Sequence, residues 1–355
     1  LSNLLSLNLN NNLIQHINPL AFSGLGNLRE LNLGDNHLEE IHQDVFKNLG
    51  KLQYLDLSNN RFKTLNQQIV SSNENLLRFN LNDNQIEALD LQVPPKLKKL
   101  EVTNNELKNV TLVGNGTLKS LQASGNAISD LQLDLDIEHL DLNYNQMESL
   151  EPLLHLNLTS LHLSENPLEN LTGIKKLVKL KNLWLDRIST KFSSHIFASL
   201  TNLKSLSLSQ SQISTFEVEP LKNLKKLVSL DLSNDEIKTL DYKELAKLPS
   251  FKRLILNFRA FNCSYFTNMS DYLHNKAILM VDGGYSDEEN ESYYAFCNAK
   301  ETSSNFYGIV SFFVIFGIIF GAIILLGIRF DWNFNTTYRI FRNSGNNVLV
   351  SSENQ

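Results

Sequence analysis

The chain has 355 residues, of which 65 are Leu and 45 are Asn, so two residue types supply nearly a third of it. A formal net charge of −6 argues against nucleic acid as a partner, because such proteins carry a basic footprint. Hydrophobic residues at 42% and charged ones at 20% exclude wholesale disorder, and two Cys exclude a disulfide-dense miniprotein and a four-cysteine zinc module.

From the N-terminus, the pattern L-x-x-L-x-L-x-x-N-x-L runs first through Leu4, Leu7, Leu9, Asn12 and Ile14. It returns at Leu28, Leu31, Leu33, Asn36, Leu38 and at Leu52, Leu55, Leu57, Asn60, Phe62. Further copies begin at Leu76, Leu97, Leu118, Ile137, Leu158, Leu180, Leu203, Leu227 and Phe251, making twelve in all. This is the signature of leucine-rich repeats, which the chain resembles over most of its length. The L-x-L pair suits a short strand with alternate side chains inward. The Asn falls where the chain turns, and its amide can satisfy backbone groups of its own and the neighbouring coil. One coil cannot bury its Leu face alone, so the expected fold is an α/β solenoid, a horseshoe with short parallel concave strands.

The early copies lie 24 residues apart and carry a second apolar spine, as in Ala21-Phe22-Ser23-Gly24-Leu25 and Val45-Phe46-Lys47-Asn48-Leu49. They resemble the extracellular "typical" subfamily. Copies from Leu97 to Leu180 lie only 19–22 apart, which predicts extended or turn structure on the convex side there. Longer copies resume at His195-Ile196-Phe197. The Asn series continues through Asn84, Asn105, Asn126, Asn145 and Asn166, then gives way to Ile188, Ser211, Asp235 and Arg259. Either the solenoid is irregular near 186–192 or the register shifts there.

The chain begins on Leu1 inside a repeat, without an initiator Met, a signal peptide or a Cys-bearing cap. An uncapped coil exposes apolar surface and a strand edge, so a missing front carrying the signal sequence is expected, with an open true N-terminus as the alternative. Four regions are expected: the solenoid over 1–261, a cap and juxtamembrane linker over 262–305, a membrane helix over 306–328 and a tail over 329–355. Cys263 and Cys297 both lie in the cap, where an extracellular setting predicts one disulfide. Between them Asp282, Asp287, Glu288, Glu289 and Glu291 mark an acidic, solvated loop. Phe306 to Ile328 has 23 residues and no charge, enough to span a bilayer. The tail holds Arg329, Arg339 and Arg342 against Asp331 and Glu353, so the positive-inside rule places it in the cytoplasm and the solenoid outside, a type I plasma-membrane topology. Sequons begin at Asn109, Asn115, Asn157, Asn170, Asn268 and Asn290, and also at Asn262, the weakest of them because it adjoins a disulfide Cys. Asn335, on the cytoplasmic side, is expected to stay unmodified.

No nucleophile elbow, phosphate loop or metal-ligand spacing is present, so no enzyme activity, cofactor or metal is expected. Asp141, His139, His162, Ser160 and Ser164 imitate a Ser-His-Asp set, but they occupy ordinary solvent positions of successive repeats. Binding is the better expectation. The residue between the two strand leucines is small or polar in the early copies and becomes His162 and then Trp184, the single Trp before the span. Trp184 with His139, Asp141, Tyr144, His162, Asp186 and Arg187 has the composition of a binding hot spot on the concave face. The alternative is that Trp184 folds over the sheet and shields the coil near Ile188. Lysines at 175, 176, 179, 181, 222, 225 and 226 form either a basic flank or merely the solvated side of the coils. Gly317 and Gly321 form a G-x-x-x-G in the span, a spacing that permits helix dimerisation. Tyr338-Arg339-Ile340-Phe341 has the form of a tyrosine-based sorting signal.

The repeats, the Asn262-Cys263-Ser264-Tyr265-Phe266 cap, the late Cys297 and the single span together resemble insect-type extracellular leucine-rich repeat proteins, the group of Toll-like receptors and membrane-bound leucine-rich immune proteins. A departure is that no cytoplasmic signalling domain follows the span. The resemblance therefore implies capture of a protein or microbial ligand as an accessory receptor or co-receptor, and no autonomous signalling. The membrane partner is expected to be a co-receptor or a second copy in a homodimer; an adhesion or developmental-patterning role without its own signalling is the alternative function.

Overall fold

The computed structural model describes residues 1–283, 293 and 295–297. Short strands recur once per coil: β1 (Ser6–Asn8), β2 (Glu30–Asn32), β3 (Tyr54–Asp56) and β4 (Arg78–Asn80). They continue as β5 (Ala88–Gln92), β6 (Lys99–Glu101), β7 (Asn109–Gln122), β8 (Asp130–Asp141), β9 (Ser160–His162) and β10 (Asn182–Trp184). The last are β11 (Ser205–Ser207), β12 (Ser229–Asp231), β13 (Arg253–Leu256) and β14 (Leu279–Asp282). All but β5 follow one another in a single parallel sheet, each paired in register with the next coil. From β2 to β13 the central apolar residue of each concave strand, such as Leu31, Phe79, Leu121 and Leu183, is buried, while most of its strand neighbours are half-buried or exposed. A buried Leu contributes roughly 1.5–3 kcal/mol, so stability is spread along the stack.

The Asn series forms a continuous hydrogen-bond ladder. In Asn145, Nδ2 donates to the carbonyls of Ala123, Leu142 and Asn143 while Oδ1 accepts from the Ile128 amide. The same pattern holds at Asn36, Asn60, Asn84, Asn105 and Asn166. The register does not slip beyond it. Ile188 sits in the ladder slot, 1% exposed, and β10 pairs in step with β9 and β11. The irregularity is confined to hydrogen bonding. The Thr190 hydroxyl donates to the Leu168 carbonyl, and the Ile188 amide donates to Ser211 Oγ at 3.3 Å.

The convex side of the short copies takes both of the expected forms, extended and turned. Copies from Leu76, Leu97 and Leu118 are extended there, with β5 and the leading halves of β7 and β8 forming a second parallel ladder. Copies from Ile137 and Leu158 instead turn through 3₁₀ segments, Glu151–Leu153 and Thr172–Lys176. Length does not decide between them, since copies 21 residues long do both. Sequence does: Ala88-Leu89-Asp90-Leu91-Gln92 alternates with period two, whereas Pro152 lacks a ladder donor and favours the first helical positions.

The cap is continuous with the solenoid, within one compact unit over Leu1–Asn298. Helix α1 (Tyr242–Leu245) ends the last convex turn, and α2 (Cys263–Asn275) covers the final coil. Asn262 caps α2 by accepting the Tyr265 amide at 2.9 Å. Phe266, Met269 and Leu273 are buried beneath it, and Cys263 and Cys297 are joined in a disulfide. Asp282 departs from the acidic-loop reading: it ends β14 and is buried. Asp287, Glu288, Glu289, Glu291 and the sequon at Asn290 lie outside the described residues. So do the span from Phe306 to Ile328 with Gly317 and Gly321, and the tail with Tyr338 and Phe341. Among the described residues no helix is long and apolar enough to cross a membrane.

Candidate binding surface on the concave sheet

Register places the expected residues by rows. One row across the sheet runs Gln122, Asp141, His162, Trp184, Ser207, Asp231. The row beside it runs Ser120, His139, Ser160, Asn182, Ser205. His162 and Trp184, on adjacent strands, stack with ring centroids 3.8 Å apart at 22°. Both are half-buried, so Trp184 is less open than its position implies: one face lies against the imidazole and the rest meets solvent. His139 is exposed. Burial pushes the His162 pKa below the usual imidazole value, against the opposing pull of Asp141 and Asp186. Burial thus favours the neutral ring, which meets Trp184 as an aromatic partner.

Asp186 lies past the end of β10 and gathers the hydroxyls. It accepts from Ser164 Oγ at 3.1 Å, from Ser207 Oγ, and from the Ser209 amide at 2.9 Å. Ser160 Oγ lies 3.5 Å from His162 Nε2. Ser164 is committed to Asp186, and among the described residues no carboxylate hydrogen-bonds the His162 ring, so the Ser-His-Asp look-alike lacks its orienting acid. Asp231 is half-buried, and burial raises its pKa.

Tyr144 and Arg187 belong to a third row, on the rim, that runs Tyr144, Glu165, Arg187, Gln210. All four residues have positive φ, between 54° and 60°. Equivalent positions elsewhere hold Asn11, Asp35, Asn59, Asp83, Asn104 and Gly125, the residue types that tolerate a left-handed backbone. Larger side chains here cost backbone strain and present a continuous polar edge. Arg187 pairs with Glu165, and its Nε donates to Gln210 Oε1 at 2.7 Å. The Glu165 hydrogen bond raises the Arg187 pKa. Sequence reasoning missed Glu165, Gln210, Ser207 and Ser209, and did not connect Ser164 with Asp186. The legible signal was the loss of Asn, Asp or Gly just before the ladder position.

A second concave feature also escaped notice, a shallow hollow of about 400 Å³ over β1–β4 lined by Tyr54, Asp56 and Arg78. Arg78 and Lys99 clamp the buried carboxylate of Glu101. Among the described residues no cluster of His, Cys, Asp or Glu is placed to hold a metal. The sequons at Asn109, Asn115, Asn157, Asn170 and Asn268 are all exposed.

This arrangement is that of a leucine-rich repeat solenoid. The family model described as "Leucine rich repeat" matches residues 1–38, 27–86 and 201–258. No curated protein matches the chain. Among solved structures it is similar to an internalin from Listeria monocytogenes (21% identity, 80% of this chain and 88% of that one, TM-score 0.57). It is similar also to the Drosophila Toll–Spatzle complex (22%, 79% and 41%, TM-score 0.63) and to the LRIM1/APL1C complex (21%, 91% and 65%, TM-score 0.62). The chain thus spans less than half of the Toll chain and just under two thirds of the LRIM1/APL1C one. At these identities the likeness establishes the fold alone.

Proposed function

We propose that this chain is a single-pass cell-surface recognition protein that captures a protein or microbial ligand on its concave face, as an accessory receptor or co-receptor in immune or signalling recognition. The observation that carries the reading is the His162–Trp184 stack bordered by the strained rim of Tyr144, Glu165, Arg187 and Gln210. Aromatic and arginine side chains anchor interfaces most often, and strain retained over a run of neighbouring coils points to use rather than packing. The uncharged span, the sequons and the cap disulfide support an extracellular solenoid anchored in the plasma membrane. Protein complexes among the structural neighbours favour a protein partner.

The test displays the full chain on cultured cells and measures binding of labelled microbial surface fractions and a panel of purified secreted proteins. Trp184→Ala should weaken capture of whichever probe binds by about 30-fold, corresponding to a hot-spot loss near 2 kcal/mol, with surface display unchanged. A probe held equally well by wild type and Trp184→Ala removes the site.

A further inference from the structure

Each coil contributes two residues to one flank of the solenoid: the one just before its first leucine and the one just after. Across twelve coils these positions hold ten basic residues, Arg29, Lys51, Lys96, Lys98, Lys119, Lys179, Lys181, Lys204, Lys226 and Lys252, and only two acidic ones, Asp136 and Glu138. The chain as a whole is acidic, with a net charge of −6. Cations are therefore enriched on this flank, which takes ten of the 32 Lys and Arg, and all ten are exposed.

The flank is one physical row. Backbone bonds link it coil to coil, from the Arg29 amide to the Leu5 carbonyl through to the Lys252 amide on Val228. Side chains link it too. Lys51 Nζ donates to Asn27 Oδ1 at 2.7 Å, Lys96 to Asn75 at 2.8 Å, Lys179 to Asn157 at 2.7 Å and Lys226 to Asn202 at 2.8 Å. Each ammonium is steadied by a neutral amide oxygen of the preceding coil, which uses one of its three donors and neutralises none of its charge. Among the described residues only Lys119 of this row pairs with a carboxylate, Glu138 at 3.7 Å. A merely solvated face would intersperse both signs, as the rim row does with Glu165 and Arg187.

We propose that this flank binds a linear sulfated polysaccharide laid along the solenoid. The row is narrow and long, with coils about 4.8 Å apart. A polymer carrying an anion every few ångströms can follow it, where a membrane would require a broad surface. The densest stretch joins the coils of Leu180, Leu203, Leu227 and Phe251, which set Lys179, Lys181, Lys204, Lys226 and Lys252 along roughly 15 Å. Both acids fall in the coil of Ile137, next to the sequon at Asn157, and separate this stretch from the N-terminal one. The choice of a sulfated glycan over another polyanion rests on the extracellular reading above; the binding surface itself does not involve Trp184.

The test uses the purified full-length chain in detergent and a size-defined heparin oligosaccharide at about 0.15 M salt, where exposed charges more than about 8 Å apart are screened. Replacing Lys181, Lys204, Lys226 and Lys252 together by Gln should weaken binding about 100-fold. Replacing Lys63, Lys108, Lys191 and Lys238, equally exposed but off the flank, makes the same change in net charge and should alter it less than about 3-fold. Matching circular dichroism of the two variants shows that both fold. Equal weakening in the two variants, or tighter binding to duplex DNA or to anionic phospholipid vesicles than to heparin, overturns the proposal. Either result leaves the Trp184 assay unaffected, so the two readings fail separately.

Discussion

The solenoid has two halves that solve the same problem differently. From Asn36 to Asn166 every coil closes its turn with an Asn, buried in all but the half-buried Asn126, whose amide serves two coils at once. From Ile188 to Asp235 the slot holds Ile, Ser and Asp, and the bonds become partial. Ser211 Oγ donates to the Leu185 and Ser209 carbonyls and accepts the Ile188 amide, while Asp235 Oδ1 accepts the Ile213 amide at 3.1 Å. The Leu spine is equally buried in both halves. What changes is polar satisfaction. The site at Trp184 and the strained rim sit at the junction, where the repeat rule is relaxed.

The largest expected effect comes from breaking the regular half. Asn145→Ala removes three donations to carbonyls and one acceptor for a buried amide. Each buried group left unpaired costs about 1–3 kcal/mol, so a loss of about 3–5 kcal/mol is expected. Ser211→Ala, in the irregular half, should cost less than half of that. Denaturant midpoints and hydrogen exchange in the flanking coils check the ratio. Equal costs would show that the two halves do not differ in the way described.

A smaller effect of opposite sign is expected at Asp235. It occupies the slot of a ladder Asn, 5% exposed, and its Oδ2 has no hydrogen-bond partner among the described residues. At Asn166 the matching Nδ2 donates to three backbone carbonyls, a place hostile to a second anionic oxygen. Burial pushes the Asp235 carboxyl up to about 6, with backbone donors pulling the other way. The folded state thus holds the proton more tightly than the unfolded one. The stability this contributes is complete below the unfolded value near 3.9 and lost as pH rises through about 6. Asp235→Asn should therefore raise stability at pH 7.5 by on the order of 2–3 kcal/mol and flatten the pH dependence between about 4 and 7. Thermal unfolding across that range is the measurement, and an unchanged slope would contradict the assignment.

The unequal legibility of the halves has a physical basis. Positions whose side chain must be apolar and inward, such as Leu121, Leu140 and Leu183, announce themselves by spacing, and the strands follow from them. The Asn ladder is equally plain while it lasts. The convex side is less legible because several backbones close a copy of 21 residues, and Pro152 or an alternating run decides among them. At the candidate site, the rows of Trp184 and His162 could be read from register alone. The face-to-face stack and the Asp186 serine cluster could not, because they depend on rotamers. The strained rim was written in the sequence as a missing Asn or Gly, but its meaning appears only once φ is known.

That rim supplies the finest test of the comparison. Tyr144 is 57% exposed with φ 55°, at a position where all the preceding coils use Asn, Asp or Gly. A left-handed conformation costs an ordinary side chain roughly 1–2 kcal/mol, while Asn tolerates it through local hydrogen bonding. Tyr144→Asn gives up little burial and relaxes the backbone, so stability should rise by about 0.5–1 kcal/mol, read as a small upward shift of the unfolding midpoint. If the rim belongs to the binding surface, the same change should weaken capture of the probe that Trp184 holds, separating stability from function at one residue. A substitution that destabilises would mean that Tyr144 packs structurally. One that stabilises with binding intact would confine the site to the His162–Trp184 stack and the residues on its own row.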